Sequence, residues 1–317
     1  MKETRTAMIQ RGILAVLGAA LLLTLVLPQL PRRERKAAPL PISVLMRESD
    51  TTAWSSARLG MEEAAGALGV ELRFLTPTTA NNGAEQNQLA RREAENGAKA
   101  LVIIPAEPER LDREMADWGS HCPVVSVESA LERGVLSVTP DNAQVGLAAA
   151  EELLADWSGG AVLLLETGGR GSGVSQRLEA ARVRLSQAGI PCIQRRADAA
   201  RLNESLSGLL RETEARWVMT FGPLATAQAA ASKEMSGWTQ PLYGAGVTMR
   251  VASALERGTV TAAVAWSDYA AGYLAVQGAA QAARGQEPAK EAVPFLVVRG
   301  DEIYAPENEK LLFPVTY

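Results

Sequence analysis

The sequence is poor in the residues that most often carry out catalysis or bind metals. Its 317 residues include one histidine, His121, and two cysteines, Cys122 and Cys192. None of them has the spacing of a zinc site, and the sequence contains neither a Gly-x-Ser-x-Gly elbow nor a Walker-type lysine. The cysteines fall in different halves of the chain, so we expect buried thiols rather than a disulfide. These absences argue against an enzyme and predict a protein without a metal or cofactor.

An excess of charge of one sign is also missing. The formal net charge is −4, and no long basic stripe follows residue 36. This composition argues against a nucleic-acid partner, because such surfaces are strongly basic. Hydrophobic residues make up 47% of the chain and charged residues 21%, which are values of a globular protein, and the length favours two domains.

One long apolar run does occur, close to the N-terminus. Residues 12–31 carry no charge and lie between Arg11 and the basic stretch 32–36. Twenty such residues can span a bilayer and exceed the apolar core of a signal peptide. Residues 1–36 are therefore predicted to be a signal anchor with a basic collar, followed by a linker at 37–41. A cleaved signal peptide is the alternative, and positive charge on both sides leaves the orientation open.

Strand-like and helix-like segments alternate from residue 42 onward. In the first half the predicted strands cover residues 42–46, 70–75, 101–105 and 123–127. In the second half they cover residues 161–165, 190–194, 217–221, 242–245 and 260–265, before an alanine-rich helix, a strand at 295–298 and a polar tail. This alternation predicts an α/β protein with parallel sheets covered by helices on both faces. The repeated pattern predicts two such lobes around a cleft.

The two halves meet at a short polar segment. A β-prone run at 135–138 leads to Asp141 and Asn142, either of which can cap the helical segment 143–157. Because similar series of strands and helices lie on each side, we interpret Asp141 and Asn142 as a hinge crossing between the lobes.

Ligands of parallel α/β sheets bind beyond the carboxyl ends of the strands. That rule selects the loops that follow each predicted strand. We expect the ligand-binding residues to be Arg47, Asp50, Trp54, Glu107, Glu128, Ser129, Ser175, Gly222, Gly246, Trp266 and Asp268.

Several of these residues have a second interpretation. The indole of Trp54 can stack on an apolar ring face of a ligand, or it can simply pack against the next helix. Glu128 can bind a ligand or be an exposed carboxylate, and Trp266 can belong to the core. The glycine-rich loop 168–173 lacks both the Gly-Lys-Ser/Thr and the Gly-x-Gly-x-x-Gly pattern, so we interpret it as a cleft-lining loop rather than a phosphate-binding loop.

Together these segments resemble the type I periplasmic binding proteins, in particular ribose-binding proteins and the lactose-repressor-like ligand-binding fold. The resemblance rests on the strand and loop at 42–54, the glycine–strand–proline element at 96–105, the hinge at Asp141 and Asn142, and the helix start at 177–179. It implies one lobe at 42–140 plus about 267–294 and a second at 141–266 plus about 295–317. Glu128 and Ser129 stand where the family often has an Asp-Arg pair contacting sugar hydroxyls.

The departures from the family concern the ligand. Gly222 and Pro223 stand where ribose binders carry an asparagine, Gly246 replaces an aspartate, and Trp266 replaces a glutamine. Ala53 stands where the aromatic partner of Trp54 is expected. A particular pentose or hexose is therefore not implied, and a larger or more apolar ligand, or a degenerate site, is equally consistent.

Four functions are weighed on this evidence. The resemblance implies an extracytoplasmic, membrane-tethered substrate-binding protein that holds a sugar-like ligand between its lobes for an ABC permease. The same module can instead report its ligand to a membrane sensor such as a histidine kinase. A membrane-anchored α/β enzyme is disfavoured because no catalytic set is visible. A transcription regulator would need a helix-turn-helix where this chain has its apolar run.

Overall fold

A computed structural model describes Leu17 and residues 39–48, 54–168 and 171–312. The chain divides into a unit at Met1–Pro39 and a compact unit at Leu40–Tyr317. The predicted membrane anchor lies outside the described residues except for Leu17, and Asp50 lies outside them as well. Within the described ranges, no helix combines the length and the apolar character needed to cross a bilayer.

The first sheet of the compact unit has five parallel strands in the order β2-β1-β3-β4-β5. They are β1 (Leu40–Leu45), β2 (Val70–Leu75), β3 (Ala100–Ile103), β4 (Val124–Val127) and β5 (Leu136–Val138). The helices between them are α1 (Ser55–Leu68), α2 (Gly83–Glu95) and α3 (Pro108–Trp118). Every residue of β3 and β4 is buried. This is the expected pattern for central parallel strands covered on both faces.

The second sheet has six strands in the order β11-β10-β9-β8-β6-β7. They are β6 (Val162–Glu166), β7 (Cys192–Arg196), β8 (Trp217–Thr220), β9 (Leu242–Ala245), β10 (Ala262–Trp266) and β11 (Phe295–Arg299). The helices of this lobe are α4 (Asn142–Asp156), α5 (Gly173–Gln187), α6 (Leu202–Thr213), α7 (Pro223–Ser236) and α8 (Met249–Glu256). The two predicted α/β lobes are thus present.

The prediction of parallel sheets holds for every strand of the two sheets except the last. β11 pairs antiparallel with β10, with Phe295 opposite Trp266 and Arg299 opposite Ala262. The chain returns to the second lobe beside the carboxyl end of β10, so the new strand can only run back toward the start of β10. An antiparallel edge strand of this kind is common on otherwise parallel sheets.

Helix α9 (Asp268–Ala283) follows β10 but packs on the first lobe, against α1. The two helices approach so closely that only glycine fits at their contacts. A Cβ on Gly60 would lie 2.0 Å from the carbonyl oxygen of Tyr269, and a Cβ on Gly272 would lie 1.9 Å from that of Ala57. The small residues of both helices therefore fix how α9 sits on the first lobe.

The chain crosses from one lobe to the other three times. The crossings follow β5, β10 and α9, and they lead to α4, α9 and β11, respectively. After β11 a 3-10 turn at Gly300–Glu302 and helix α10 (Pro306–Leu312) occupy the segment that the sequence predicts to be a polar tail. The helix forms there because Leu311 and Leu312 pack against the apolar core of the second lobe. The exact lobe bounds remain a prediction.

Candidate ligand-binding site

Helix α5 carries an arginine on its buried face, between the lobes. Arg177 is completely buried, and its helical neighbours Val174, Leu178 and Ala181 are buried as well. Its Nε donates to the carbonyl oxygen of Phe221 at 2.7 Å. Its Nη1 donates to Oδ1 of Asn142 at 2.7 Å. A buried guanidinium needs such partners, because an unpaired charge away from water is very costly.

The third partner of Arg177 is Glu128, which follows β4 in the first lobe. Arg177 Nη2 donates to Glu128 Oε1 at 2.9 Å, and Arg47 Nη1 donates to Glu128 Oε2. Glu128 has a φ of +69°, in the left-handed region that residues with a side chain rarely adopt. Asn142 Nδ2 donates to the Glu128 carbonyl oxygen at 3.0 Å and helps to hold this backbone. Strained residues of this kind concentrate at functional sites.

The charges of this network shift each other's protonation. Burial alone would raise the pKa of Glu128, but the guanidinium groups of Arg47 and Arg177 outweigh burial and lower it. Burial acts to lower the pKa of Arg47, but the carboxylates of Glu128 and Glu48 outweigh burial and raise it. Burial lowers the pKa of Arg177 despite Glu128, yet the guanidinium stays charged because its ordinary pKa is so high. One carboxylate thus pairs with two cations, the buried Arg177 and the partly buried Arg47.

A tryptophan covers each of these arginines. The guanidinium carbon of Arg47 lies 5.1 Å from the ring centroid of Trp54. The guanidinium carbon of Arg177 lies 4.8 Å from the ring centroid of Trp266. Both distances are typical of cation–π contacts. The indole N–H of Trp54 donates to Glu48 at 3.0 Å, so this tryptophan is anchored at both its face and its edge. We call Arg47, Trp54, Glu128, Arg177 and Trp266 the inner cluster.

Asp268, at the start of α9, borders the inner cluster. Its Oδ1 accepts a hydrogen bond from the indole N–H of Trp266 at 2.6 Å. Burial, reinforced by the nearby charge of Glu128, raises the pKa of Asp268 to about 7, although the Trp266 hydrogen bond and Arg177 oppose this rise. Asp268 therefore changes charge close to neutral pH.

Little space remains within the inner cluster. Trp54, Glu128, Trp266 and Asp268 line a cavity of only about 10 Å³. Such a volume is roughly that of one water molecule in a cavity. One face of each indole is covered by a guanidinium group, and both tryptophans are buried.

A much larger cavity opens beside the inner cluster. Its volume is about 590 Å³, within the range of pockets that bind small molecules. Its walls come from loops and helix starts beyond the carboxyl ends of strands in both sheets. From the first lobe they include Arg47, Glu48, Asn81, Glu107, Glu109, Arg110 and Arg113, and from the second Glu166, Thr167, Ser172, Arg196, Gly222 and Pro223. We call this space the outer cavity.

The residues predicted to bind ligand are only partly brought together. Arg47, Trp54, Glu128 and Trp266 form the inner cluster with Asp268 beside it, whereas Glu107 and Gly222 lie on the outer cavity. Asp50 lies outside the described residues.

The remaining predicted residues have local partners. Ser129 is buried, and its Oγ accepts a hydrogen bond from the backbone N–H of Gly173. This hydrogen bond joins the two lobes. Ser175 lines a surface groove between α4 and α5 instead of the outer cavity. Gly246 is buried with a φ of +83°, and a Cβ there would lie 2.7 Å from Pro223.

The two predicted hinge residues differ in their contacts. The side chain of Asp141 caps α4 by accepting from Gln144 N at 3.0 Å and is exposed. Asn142 is buried and contacts both Arg177 and Glu128. Asn142 is therefore part of the network that joins the lobes, while Asp141 acts on its own helix.

The most buried charged residue of the site was not among the predicted site residues. Arg177 falls at the spacing of Val174, Ala181 and Leu185, so an arginine on an otherwise apolar helical face was the available signal. The arginines of the outer cavity, Arg110, Arg113 and Arg196, were missed because nothing in the sequence distinguishes them from ordinary surface charges.

Comparison with solved structures shows the same fold in several solute-binding and sugar-binding proteins. A carbohydrate transporter solute-binding protein from Agrobacterium radiobacter, in complex with D-arabinose, is 18% identical with a TM-score of 0.81, covering 87% of this chain and 99% of that one. A solute-binding protein from Agrobacterium vitis, bound to α-D-tagatopyranose, is 18% identical to this chain with a TM-score of 0.78. The match covers 87% of this chain and 100% of that protein. A glucose-galactose binding protein from Geobacillus stearothermophilus is 20% identical to this chain with a TM-score of 0.75. The match covers 84% of this chain and 99% of that protein.

Sequence comparison gives a family but no individual relative. None of the curated proteins matches the chain. Residues 42–287 match the family described as the periplasmic binding protein domain, which is most of the compact unit. The chain therefore belongs to the periplasmic binding protein domain family.

Proposed function

We propose that this chain is an extracytoplasmic solute-binding protein that holds a small polar, sugar-like ligand between its lobes and delivers it to an ABC permease. The observation that carries the proposal is the outer cavity. Its volume of about 590 Å³ suits a small molecule, and both lobes contribute charged and polar side chains to its walls.

The position of the outer cavity also supports a binding function. It lies beyond the carboxyl ends of the strands, where open α/β sheets hold their ligands. A ligand that contacts both lobes stabilises the closed arrangement, and closure by a hinge is an established kind of domain motion. The solved proteins of the same fold that hold D-arabinose or tagatose support a sugar-like ligand.

Three further features belong to this proposal. The chain is tethered to the membrane through residues 12–31, with the lobes outside the cytoplasm. The lobes comprise residues 42–140 plus about 267–294 and 141–266 plus about 295–317, with Asp141 and Asn142 at the hinge. The ligand is bound and released without chemical change.

Binding can be tested by thermal unfolding of the full-length chain, purified in detergent, against a panel of pentoses, hexoses and their derivatives. A ligand at about one hundred times its dissociation constant adds roughly 2.7 kcal/mol to the free energy of unfolding. We expect one chemical class to raise the melting temperature, and chromatography to return that ligand unchanged. Absence of any shift contradicts the proposed function, and conversion of the ligand contradicts a pure binding role.

The anchor can be tested by cell fractionation. The chain should stay in the membrane pellet after an alkaline wash, with a mass that includes residues 1–36. A soluble chain that begins after this segment would identify a cleaved signal peptide instead.

A further inference from the structure

The inner cluster leaves no room for a sugar ring between its two tryptophans. Arg47 covers the face of Trp54, Arg177 covers that of Trp266, and Glu128 binds both arginines. The side chains thus contact one another in a continuous series from the first lobe to the second, in the order Trp54, Arg47, Glu128, Arg177 and Trp266. The remaining space of about 10 Å³ is far below the volume of small-molecule pockets. A ligand must therefore sit outside this cluster.

The outer cavity offers a different chemistry from an aromatic stacking site. The residues described along its wall include no phenylalanine, tyrosine or tryptophan, so it presents no ring on which a sugar can stack. Its side chains are instead guanidinium groups and carboxylates from both lobes. Recognition in this space has to rely on hydrogen bonds and charge.

The guanidinium groups stand on opposite walls of the outer cavity. Arg113 on α3 of the first lobe has no hydrogen bond or ion pair to any residue that the structure describes. Arg196, at the end of β7 in the second lobe, binds Glu166 through Nη2 at 2.7 Å. A guanidinium has five N–H donors, so Arg196 retains donors for a ligand. Arg113 is exposed in this structure, and the carboxylates of Glu107 and Glu109 line the same wall of the cavity. An anionic group on the ligand would give the guanidinium of Arg113 a direct, charge-assisted partner.

Carboxylates complete the wall. Glu107 lies at the start of α3, and Glu166 lies at the end of β6. Ionised carboxylates only accept hydrogen bonds, so they suit the hydroxyl groups of a ligand. We propose, building on the binding function above, that the ligand is a polyhydroxylated anion bound in the outer cavity between Arg113 and Arg196. Its anionic group is a carboxylate or a phosphate, and its hydroxyls face Glu107 and Glu166.

Matched probe pairs test this inference. Thermal unfolding and calorimetry are run on the full-length chain with glucose, gluconate and glucose 6-phosphate, and with ribose and ribose 5-phosphate. We expect an anionic member to bind while its neutral partner does not. Arg113→Gln and Arg196→Gln should each weaken that binding about 10- to 100-fold, as expected for the loss of a charged hydrogen bond.

Two exposed arginines away from the outer cavity provide controls. Arg133→Gln in the first lobe and Arg250→Gln in the second remove the same charge and should leave the affinity within about twofold. Neutral sugars that bind as tightly as the anions, or anion binding that survives both cavity substitutions, would overturn the anionic ligand while leaving the binding function intact. If none of the neutral or anionic probes binds, the result would count against both the anionic ligand and the proposed binding function.

Discussion

Glu128 and Arg177 form a buried ion pair between the two lobes, with Arg177 Nη2 donating to Glu128 Oε1 at 2.9 Å. The two side chains are 3% and 0% exposed, so water does not screen the pair. Both charges lose hydration on folding, and this cost offsets much of their attraction, so the pair by itself adds little to net stability. Removing one partner is nevertheless very costly, because the other charge stays buried.

Replacement of Arg177 should therefore destabilise the chain strongly. Arg177→Met removes one cation from Glu128 and leaves the Phe221 carbonyl and Asn142 without their donor. We expect the free energy of unfolding in urea to fall by about 3–5 kcal/mol. Arg182→Met on the same helix, which breaks an exposed pair with Glu179, should cost less than about 1 kcal/mol. Equal losses in the two variants would contradict a special role of the buried pair.

Asp268 should make stability depend on pH in the neutral range. Its pKa in the folded chain is about 7, above the ordinary 3.8. Between these values the folded chain binds more protons than the unfolded chain, so the free energy of unfolding falls as pH rises toward about 7 and levels off above it. The lowered pKa of Glu128 acts below its ordinary 4.5, outside most of this window.

Urea unfolding of the wild type and of Asp268→Asn across about pH 5 to 8 measures this effect. Asparagine can still accept the Trp266 hydrogen bond but cannot ionise, so we expect the variant to show a flatter profile. The same slope in both proteins would mean that another group titrates in this range.

The contact of α1 with α9 gives a steric prediction with an internal control. Gly60→Ala places a methyl group against the Tyr269 carbonyl oxygen and should cost about 1–3 kcal/mol of stability. Gly66→Ala lies on the same helix with no atom within 4 Å of the new Cβ. It should stabilise the chain by up to about 1 kcal/mol, because alanine favours helix over glycine. Melting temperatures that move in the same direction would show that the helices can separate at Gly60.

The two thiols should differ in reactivity. Cys122 is buried, and burial raises its pKa to about 11, so it is almost entirely protonated at neutral pH. Cys192 is only partly buried, with a pKa raised by the same cause. Because the thiolate is the reacting form, iodoacetamide should modify Cys192 first in the native chain. Mass spectrometry of tryptic peptides at increasing times measures the order, and earlier modification of Cys122 would show that its burial is not maintained.

Most of the fold could be predicted from the sequence because short strand-like segments alternate regularly with helix-like segments, and most of those strands are apolar. The predicted strand at 242–245 coincides with β9, and the predicted strand at 70–75 with β2. The direction of β11 could not be predicted, since it depends on where the chain re-enters the second lobe. Helix α10 was missed because its polar composition hides the two leucines that pack against the core.

The site was harder to predict because its organisation depends on distant pairing. The sequence indicates that Trp54, Glu128 and Trp266 lie near the cleft, but not that Arg47 and Arg177 cover the two indoles. Arg177 is 49 residues from Glu128 along the chain, and only the two lobes together bring these side chains into contact. Local spacing carries no information about such a pair.

The packing of α9 on the first lobe has a consequence for how the chain is made. Ala271, Gly272, Ala275 and Ala279 of this helix are buried, although most of the second lobe precedes them in the sequence. A ribosome therefore releases every strand of the first sheet long before it releases the helix that covers that sheet. The N-terminal part of the chain, although synthesised first, therefore cannot complete its core until residues near 283 have been synthesised.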